Sequence, residues 1–307
     1  EVQADKTVMC LTPKQGCYTS SAPDFTGSLN FANLGFKSPE KLVPGSSRLL
    51  TTDAIKMVER PKTSYKNSLG KVLVLGGWEN MEGAAALVAR SAIKSGAGKV
   101  YLCGANVKER TPEIIGVLRN LEDYYKILHT VDCVIAGPGL GENADQYLEA
   151  TWEAKVPLVL DADGLRWLRK KNPKKRRSTL IATPHTGEAE ILLGSTIKNR
   201  FEALNKLCAT YGGQWVLKGA GTLIGPNPIF VNPFANSILS TAGSGDVLAG
   251  IIGGLVASRE KDPALLGVWL HSEAARILLE SGEPRIAASE IISKLGKAIS
   301  RLNTKKS

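Results

Sequence analysis

Apolar residues along this chain gather in short continuous runs, each closed by glycine, aspartate or histidine. Residues 71–75 (KVLVL) form such a run and read as a strand buried on both faces. Residues 99–103, 133–136, 157–160, 179–182 and 214–217 repeat the pattern. Helical stretches lie between them. Residues 83–95 are a run of small residues, and residues 243–257 are almost wholly apolar, which predicts a fully buried helix. Ile291, Ile292, Leu295, Ile299 and Leu302 recur at helical spacing and give residues 288–302 one buried face. His271 falls in another helical stretch, 265–279, and reads as packed rather than catalytic. The polar connector at 38–69 contains Pro39, Pro44 and Pro61, with a helix expected near 51–59. Residues 1–37 read as short strands and turns. Strands alternating with helices predict an α/β fold with a mainly parallel, doubly wound sheet. In such folds ligands gather at the carboxyl ends of the strands, which is where the polar turns lie.

Composition narrows this picture. The 307 residues suit one large domain or two small ones, and the 43% hydrophobic content excludes general disorder. The net charge of +10 would suit a nucleic-acid binder, but seven cations sit in one run, Arg169 to Arg177, leaving +3 elsewhere. With Trp167 the one aromatic nearby, the run reads as a solvated loop, and no nucleic acid is expected. The five cysteines are scattered without a C-x-x-C pair, which excludes a disulfide scaffold and a zinc site and fits a cytoplasmic compartment. No apolar run reaches membrane-spanning length and no signal-peptide pattern is present, so no membrane partner is expected. Opening on Glu1, the chain reads as the later part of a longer polypeptide.

The chemistry concentrates in a few turns. Gly243-Ser244-Gly245-Asp246 opens the apolar helix. Free amides and the helix dipole make an anion hole there, and Asp246 is placed to take a proton from an attacking alcohol. The alternative is a carboxylate favoured by the dipole alone. Lys218-Gly219-Ala220-Gly221-Thr222 follows a strand and offers a cation and open backbone to a nucleotide, or else a plain hairpin turn. His185-Thr186-Gly187-Glu188 provides a His and a Glu that orient a substrate or hold Mg²⁺ through water, or a helix start capped by Thr186. Gly137 to Gly141 and Asp161-Ala162-Asp163-Gly164 are strand-end turns whose aspartates steer a metal or ribose, or cap a helix. The first strand lacks a G-x-G-x-x-G fingerprint, which disfavours a dinucleotide-binding Rossmann site.

Taken in order, KVLVLGG, GAAALVARSAIKSGAG, GPGLG, LDADGL, TPHTGE, VLKGAGT, TAGSGDVLAGIIGGL and WLHSEAA resemble the NAD(P)H-hydrate dehydratase family over about residues 50–302. The resemblance implies a ribokinase-like three-layer αβα sandwich over 50–307, with 38–49 as linker. Residues 1–37 resemble the end of an NAD(P)H-hydrate epimerase domain, carried by Ala4 to Val8, Pro13 to Gly16 and Gly27 to Gly35. The implied reaction is ADP- or ATP-dependent dehydration of the S epimer of hydrated NADH or NADPH, by phosphorylation of the C6 hydroxyl and loss of phosphate. Asp246 would be the base. Lys218 through Thr222 and Gly243, Ser244 and Gly245 would bind the nucleotide. Ala84, Gly139, Gly141, His185 and Asp246 would meet the hydrate, and Glu188 would support Mg²⁺. A homo-oligomer, a tetramer, is implied as well. Three places depart from the family pattern: Ser64-Tyr65-Lys66-Asn67, Trp78 after the glycine pair, and Ile238-Leu239-Ser240-Thr241. Trp78 is expected to reshape the hydrate pocket. The alternatives are a small-alcohol kinase of the same fold, such as a hydroxyethylthiazole or hydroxymethylpyrimidine kinase, and a non-catalytic nucleotide- or nucleic-acid-binding protein.

Overall fold

The computed structural model describes residues 2–38, 41, 45–59, 61–63, 68–104 and 112–304. The departure at residues 64–67 lies outside them, as do Pro39 and Pro44. The leader holds two strands, β1 (Lys6–Cys10) and β2 (Ser28–Ala32), paired in parallel as a small sheet of their own. The main sheet takes β3 (Ser47–Leu49), β4 (Lys71–Leu75), β5 (Lys99–Cys103), β6 (Ile114–Val117), β7 (Cys133–Ala136), β8 (Leu158–Leu160), β9 (Leu180–Ala182), β10 (Gln214–Leu217), β11 (Leu223–Gly225) and β12 (Ile229–Val231). Its order is β3-β12-β11-β10-β9-β8-β7-β4-β5-β6. All pairs are parallel except β10–β11 and β11–β12. Ser47–Leu49, from the stretch read as linker, is thus an edge strand of the main sheet.

The apolar runs become strands because both faces of the sheet are covered. Val72 and Val74 pack into one core with helices Glu82–Ser95, Ser244–Ala257, Pro263–Glu280 and Ala288–Thr304. Leu73 and Leu75 pack into the other with helices Leu121–Leu128, Asp145–Glu153, Asp163–Lys171, Thr186–Leu193 and Arg200–Tyr211. The architecture is the expected three-layer αβα sandwich.

Two expectations are corrected. No helix spans 51–59; a single 3₁₀ turn at Thr52–Ala54 gives way to extended backbone at Ile55. Ile55 is 2% exposed in the core, and the Val58 N–H donates to the Glu260 carboxylate at 2.8 Å. Tertiary anchoring of β-branched residues therefore outweighs a weak local helix preference. The basic run is not wholly a solvated loop either. Arg176 turns inward and donates to the carbonyls of Thr151, Trp152, Ala154 and Val156, closing the C-terminal end of helix Asp145–Glu153. Lys171 reaches Asp145 and Glu149, and Lys170 reaches Asp145.

Helix Ser244–Ala257 is set in place by near contact of backbones. A Cβ on Gly250 would fall 1.9 Å from Ser91 Oγ, and one on Gly254 would fall 2.4 Å from the Ala92 carbonyl. Ser95 Oγ donates across the seam to the Ile251 carbonyl at 3.2 Å. Small residues on both helices thus fix where the Gly243–Asp246 turn emerges. Gly250→Ala should lower stability by about 1–3 kcal/mol through overpacking. Gly296→Ala, in a helix with open space around it, should raise stability by about 0.5–1 kcal/mol. Thermal melting of the two variants checks both signs.

Candidate active site

Four ionisable side chains from four segments share one buried spot. Lys218 closes β10, and its Nζ lies 2.8 Å from Asp161 Oδ1 and 3.9 Å from Glu188 Oε2. Asp161 ends β8 and is 2% exposed. Burial alone would discharge Lys218, but Asp161 and Glu188 outweigh it and hold the ammonium above its ordinary range. Glu188 is pushed up by burial, against the pull of Lys218. Asp246 is pushed up to about 6, first by burial and then by the negative charge of Asp161, with Lys218 opposing. An aspartate poised there is ionised at neutral pH yet basic enough to accept a proton.

The anion-holding elements converge on the same lysine. Gly243 takes left-handed backbone, φ +86°, and turns the chain into helix Ser244–Ala257. A Cβ on Gly245 would lie 3.1 Å from Lys218 Nζ, so the ammonium rests against the first helical turn. His271 braces that turn from behind. Its Nε2 is 3.0 Å from the Ser244 carbonyl and 3.2 Å from Ser244 Oγ. Burial pulls His271 down to about 4, so the ring is neutral. A carbonyl only accepts, so Nε2 carries the proton, and the Ser244 hydroxyl is free to donate elsewhere. The packed role expected for His271 holds, with a site attached to it.

Residues 218–222 are the turn of a hairpin, as the plainer reading had it. Val216 faces Ile224 and Leu217 faces Leu223. Arg200 holds the turn from inside, donating to the carbonyls of Leu217, Lys218, Ala220 and Gly221 at 2.9, 3.2, 2.5 and 3.1 Å. The guanidinium gathers carbonyls on the protein side of the turn and leaves the other side to the cavity. Glu188 and His185 form a capping box: the His185 N–H donates to Glu188 Oε2 at 2.8 Å, and the Glu188 N–H donates to His185 Nδ1 at 3.2 Å. The cap is therefore His185, not Thr186.

A cavity of about 540 Å³ opens beside these groups. Lys218, Gly219, Ala220 and Thr222 line it, with Ser244, Gly245 and His185. Its other walls come from the segment after β12, including Phe234 and Asn236, from Leu248, Val268, His271 and Ser272, and from Ser20, Pro23 and Asp24 of the leader. Gly221 faces away from it, toward the Tyr18 carbonyl. Ala84 and Gly139 lie together elsewhere: a Cβ on Gly139 would fall 3.2 Å from that of Ala84. The Gly141 N–H donates to Asp163 at 2.9 Å. A Cβ on Gly243 would meet Leu87 at 2.4 Å and lie 3.9 Å from Asp246 Oδ2, so the helix carrying Ala84 borders Asp246. Asp246 follows the cavity-lining Gly245 and lies near Leu87, one turn along the helix from Ala84.

Trp78 stands against the Gly139 turn. It is 4% exposed and packs edge-on to Tyr147, with the Arg119 guanidinium 3.5 Å from its ring centre. Its backbone N–H donates to the Gly139 carbonyl at 2.8 Å. The indole fills the core behind the turn and is not part of the cavity lining. Three contributors escaped the sequence reading of the site. Asp161 was visible as the first acid of LDADGL, but its pairing with Lys218 was not. Arg200 and the leader residues bore no local signal.

The chain is similar to proteins of known family. The family model described as NAD(P)H-hydrate dehydratase matches residues 72–297. The bifunctional NAD(P)H-hydrate repair enzyme of Coxiella burnetii is 37% identical over 96% of this chain and 64% of its own length. The chain therefore spans just under two thirds of that relative. The ADP-dependent (S)-NAD(P)H-hydrate dehydratase of Neisseria meningitidis is 35% identical over 78% of this chain and 86% of its own. Among solved structures, the ADP/ATP-dependent NAD(P)H-hydrate dehydratase of Bacillus subtilis co-crystallised with ATP and Mg²⁺ aligns with TM-score 0.74 and 27% identity, over 83% of this chain and 99% of that one. The fold is ribokinase-like, as in an Enterococcus faecalis ribokinase-like superfamily protein aligning with TM-score 0.73 and 26% identity over 84% of this chain and 96% of that one. The family model over residues 72–297, together with these relatives, places the chain in the NAD(P)H-hydrate dehydratase family.

Proposed function

We propose that this chain restores hydrated NADH or NADPH, in the S configuration at C6, to the reduced dinucleotide by using ADP, or ATP, as phosphoryl donor. The observation that carries the reading is the half-buried Asp246, raised to about 6 at a helix start against which the Lys218 ammonium rests. The nucleotide lies in the 540 Å³ cavity against Lys218, Gly219, Ala220, Thr222, Ser244 and Gly245, with Gly221 and Gly243 shaping the turns. The hydrate approaches from the side of Ala84, Gly139 and Gly141, with His185 at the boundary. Supporting this are the family match and the dehydratase named in Neisseria.

Asp246 takes the proton of the C6 hydroxyl as its oxygen attacks the terminal phosphorus. A new O–P bond forms, and the bond to the rest of the nucleotide breaks, leaving AMP or ADP. The helix-start amides and the Lys218 ammonium stabilise the charge on the transferring group. The ring nitrogen's lone pair then expels phosphate from C6, and loss of a proton from C5 completes the ring double bond. Hydroxide is a poor leaving group and phosphate a good one, which is the reason for the detour.

Mg²⁺ fits this site as an ion carried on the nucleotide rather than in a protein cage. Among the described residues no group of three or more His, Cys, Asp or Glu is arranged to ligate a metal. One or two carboxylates together with phosphates suffice for Mg²⁺. Glu188 would hold it through water, and the bound ion would neutralise phosphate charge. Among the described residues no helix is long and apolar enough to cross a membrane. We place the enzyme in the cytoplasm as a homo-oligomer, a tetramer, acting on small molecules.

Hydrated NADH with ADP, and separately with ATP, should regain absorbance at 340 nm with release of one inorganic phosphate per ring restored. A kinase would keep the phosphate on its product, which would overturn the reading. Asp246→Asn should lower turnover by at least about 10²-fold, the effect of losing a general base. With Asp246 at about 6, turnover should fall roughly tenfold per pH unit below that point and level off above it, because only the ionised form accepts the proton. A pH–rate profile measures this directly.

A further inference from the structure

The family match begins at residue 72, yet the leader supplies part of the cavity wall. Ser20, Pro23 and Asp24 line the cavity together with the hairpin and the helix start. The leader is firmly seated there. A Cβ on Gly221 would lie 1.9 Å from the Tyr18 carbonyl and 3.0 Å from Thr19 Cγ2, so the leader backbone touches the hairpin tip. Thr19 is 8% exposed. The Gln15 side chain donates to Ser46 Oγ and Ser47 Oγ, both at 2.9 Å, and Ser47 begins the edge strand β3. Ser20 itself holds left-handed backbone, φ +59°, a conformation that a serine keeps only where its surroundings impose it.

The hairpin gives the cavity a direction. Its base, Lys218, rests against Gly245 at the anion hole. Its tip, Gly221, rests against Tyr18. Phosphates belong at the base, where the cation and the helix dipole lie. The leader end offers the Asp24 carboxylate and the Ser20 hydroxyl. A carboxylate repels phosphate and accepts hydrogen bonds, so it suits the part of a nucleotide that carries donors. We propose that the leader segment around Asp24 is the nucleoside-recognising wall of the cavity, with Asp24 accepting hydrogen bonds from ribose hydroxyls or a base amino group. This rests on the nucleotide reading above. It makes the leader a specificity element for the phosphoryl donor, outside the domain that the family defines.

The test compares binding of ADP and of pyrophosphate, which carries the phosphates without the nucleoside, by calorimetry. Asp24 is exposed in the short helix Ala22–Phe25, so Asp24→Ala should fold normally, with an unchanged melting temperature in the absence of ligand. In this variant ADP affinity should fall about tenfold, the loss of a hydrogen bond to a charged group. Pyrophosphate affinity should stay the same, and Asp24→Asn should recover part of the ADP affinity. Unchanged ADP affinity in Asp24→Ala, or an equal loss for pyrophosphate, would overturn the proposal while leaving the nucleotide reading intact. Failure of the unaltered protein to bind ADP at all would overturn both.

Discussion

The Lys218 ammonium, buried against Asp161, is the constraint from which the rest of the site follows. A lone ammonium at that depth would lose its proton or open the fold to water. Asp161 at 2.8 Å holds the charge in place, and Glu188 adds to it from 3.9 Å. The fixed cation in turn rests against Gly245 and gives the helix start its electrostatic strength. Burial drives Asp246 upward, and Asp161 adds to it while Lys218 opposes. The ion pair thus tunes Asp246 and fixes the cation against the helix start together.

Packing puts these groups within reach of one another. β8, β9 and β10 are adjacent and parallel, so Asp161, His185 and Lys218 emerge at one edge of the sheet. The Lys218 N–H donates to the Pro184 carbonyl at 2.8 Å and extends that pairing beyond the strands. Asp246 arrives from another layer, on a helix whose glycines allow it to lie almost backbone to backbone on helix Glu82–Ser95. The rule that ligands gather at carboxyl strand ends is realised here with a helix N-terminus completing the site.

Much of this was legible before any coordinates. β4, β5, β7 and β10 fall where continuous apolar runs placed them, because strands covered on both faces need no polar alternation. The helix start at Gly243–Ser244 was legible because glycine, serine and an acid before an apolar run are local signals of a helix N-terminus. What escaped was long-range. Asp161 and Lys218 are 57 residues apart in sequence, and no spacing rule joins them. Arg200 holds four carbonyls and has, among the described residues, no acidic partner, a role that composition does not reveal. Arg176 looked like one cation in a basic loop until its guanidinium was found capping a helix. Trp78, which replaces a small residue in the family pattern, is buried against the Gly139 turn, a contact that local sequence does not reveal. The 51–59 helix failed because burial of Ile55 outweighed local preference.

The most direct test of the account is the pH–rate profile of Asp161→Asn. Asparagine keeps an acceptor for Lys218 but removes the negative charge that helps raise Asp246. The account predicts that the acidic limb of the profile moves to lower pH, because Asp246 then feels the lysine with one fewer opposing carboxylate. An acidic limb that stays near 6 while activity persists would contradict the claim that this buried ion pair governs the catalytic base.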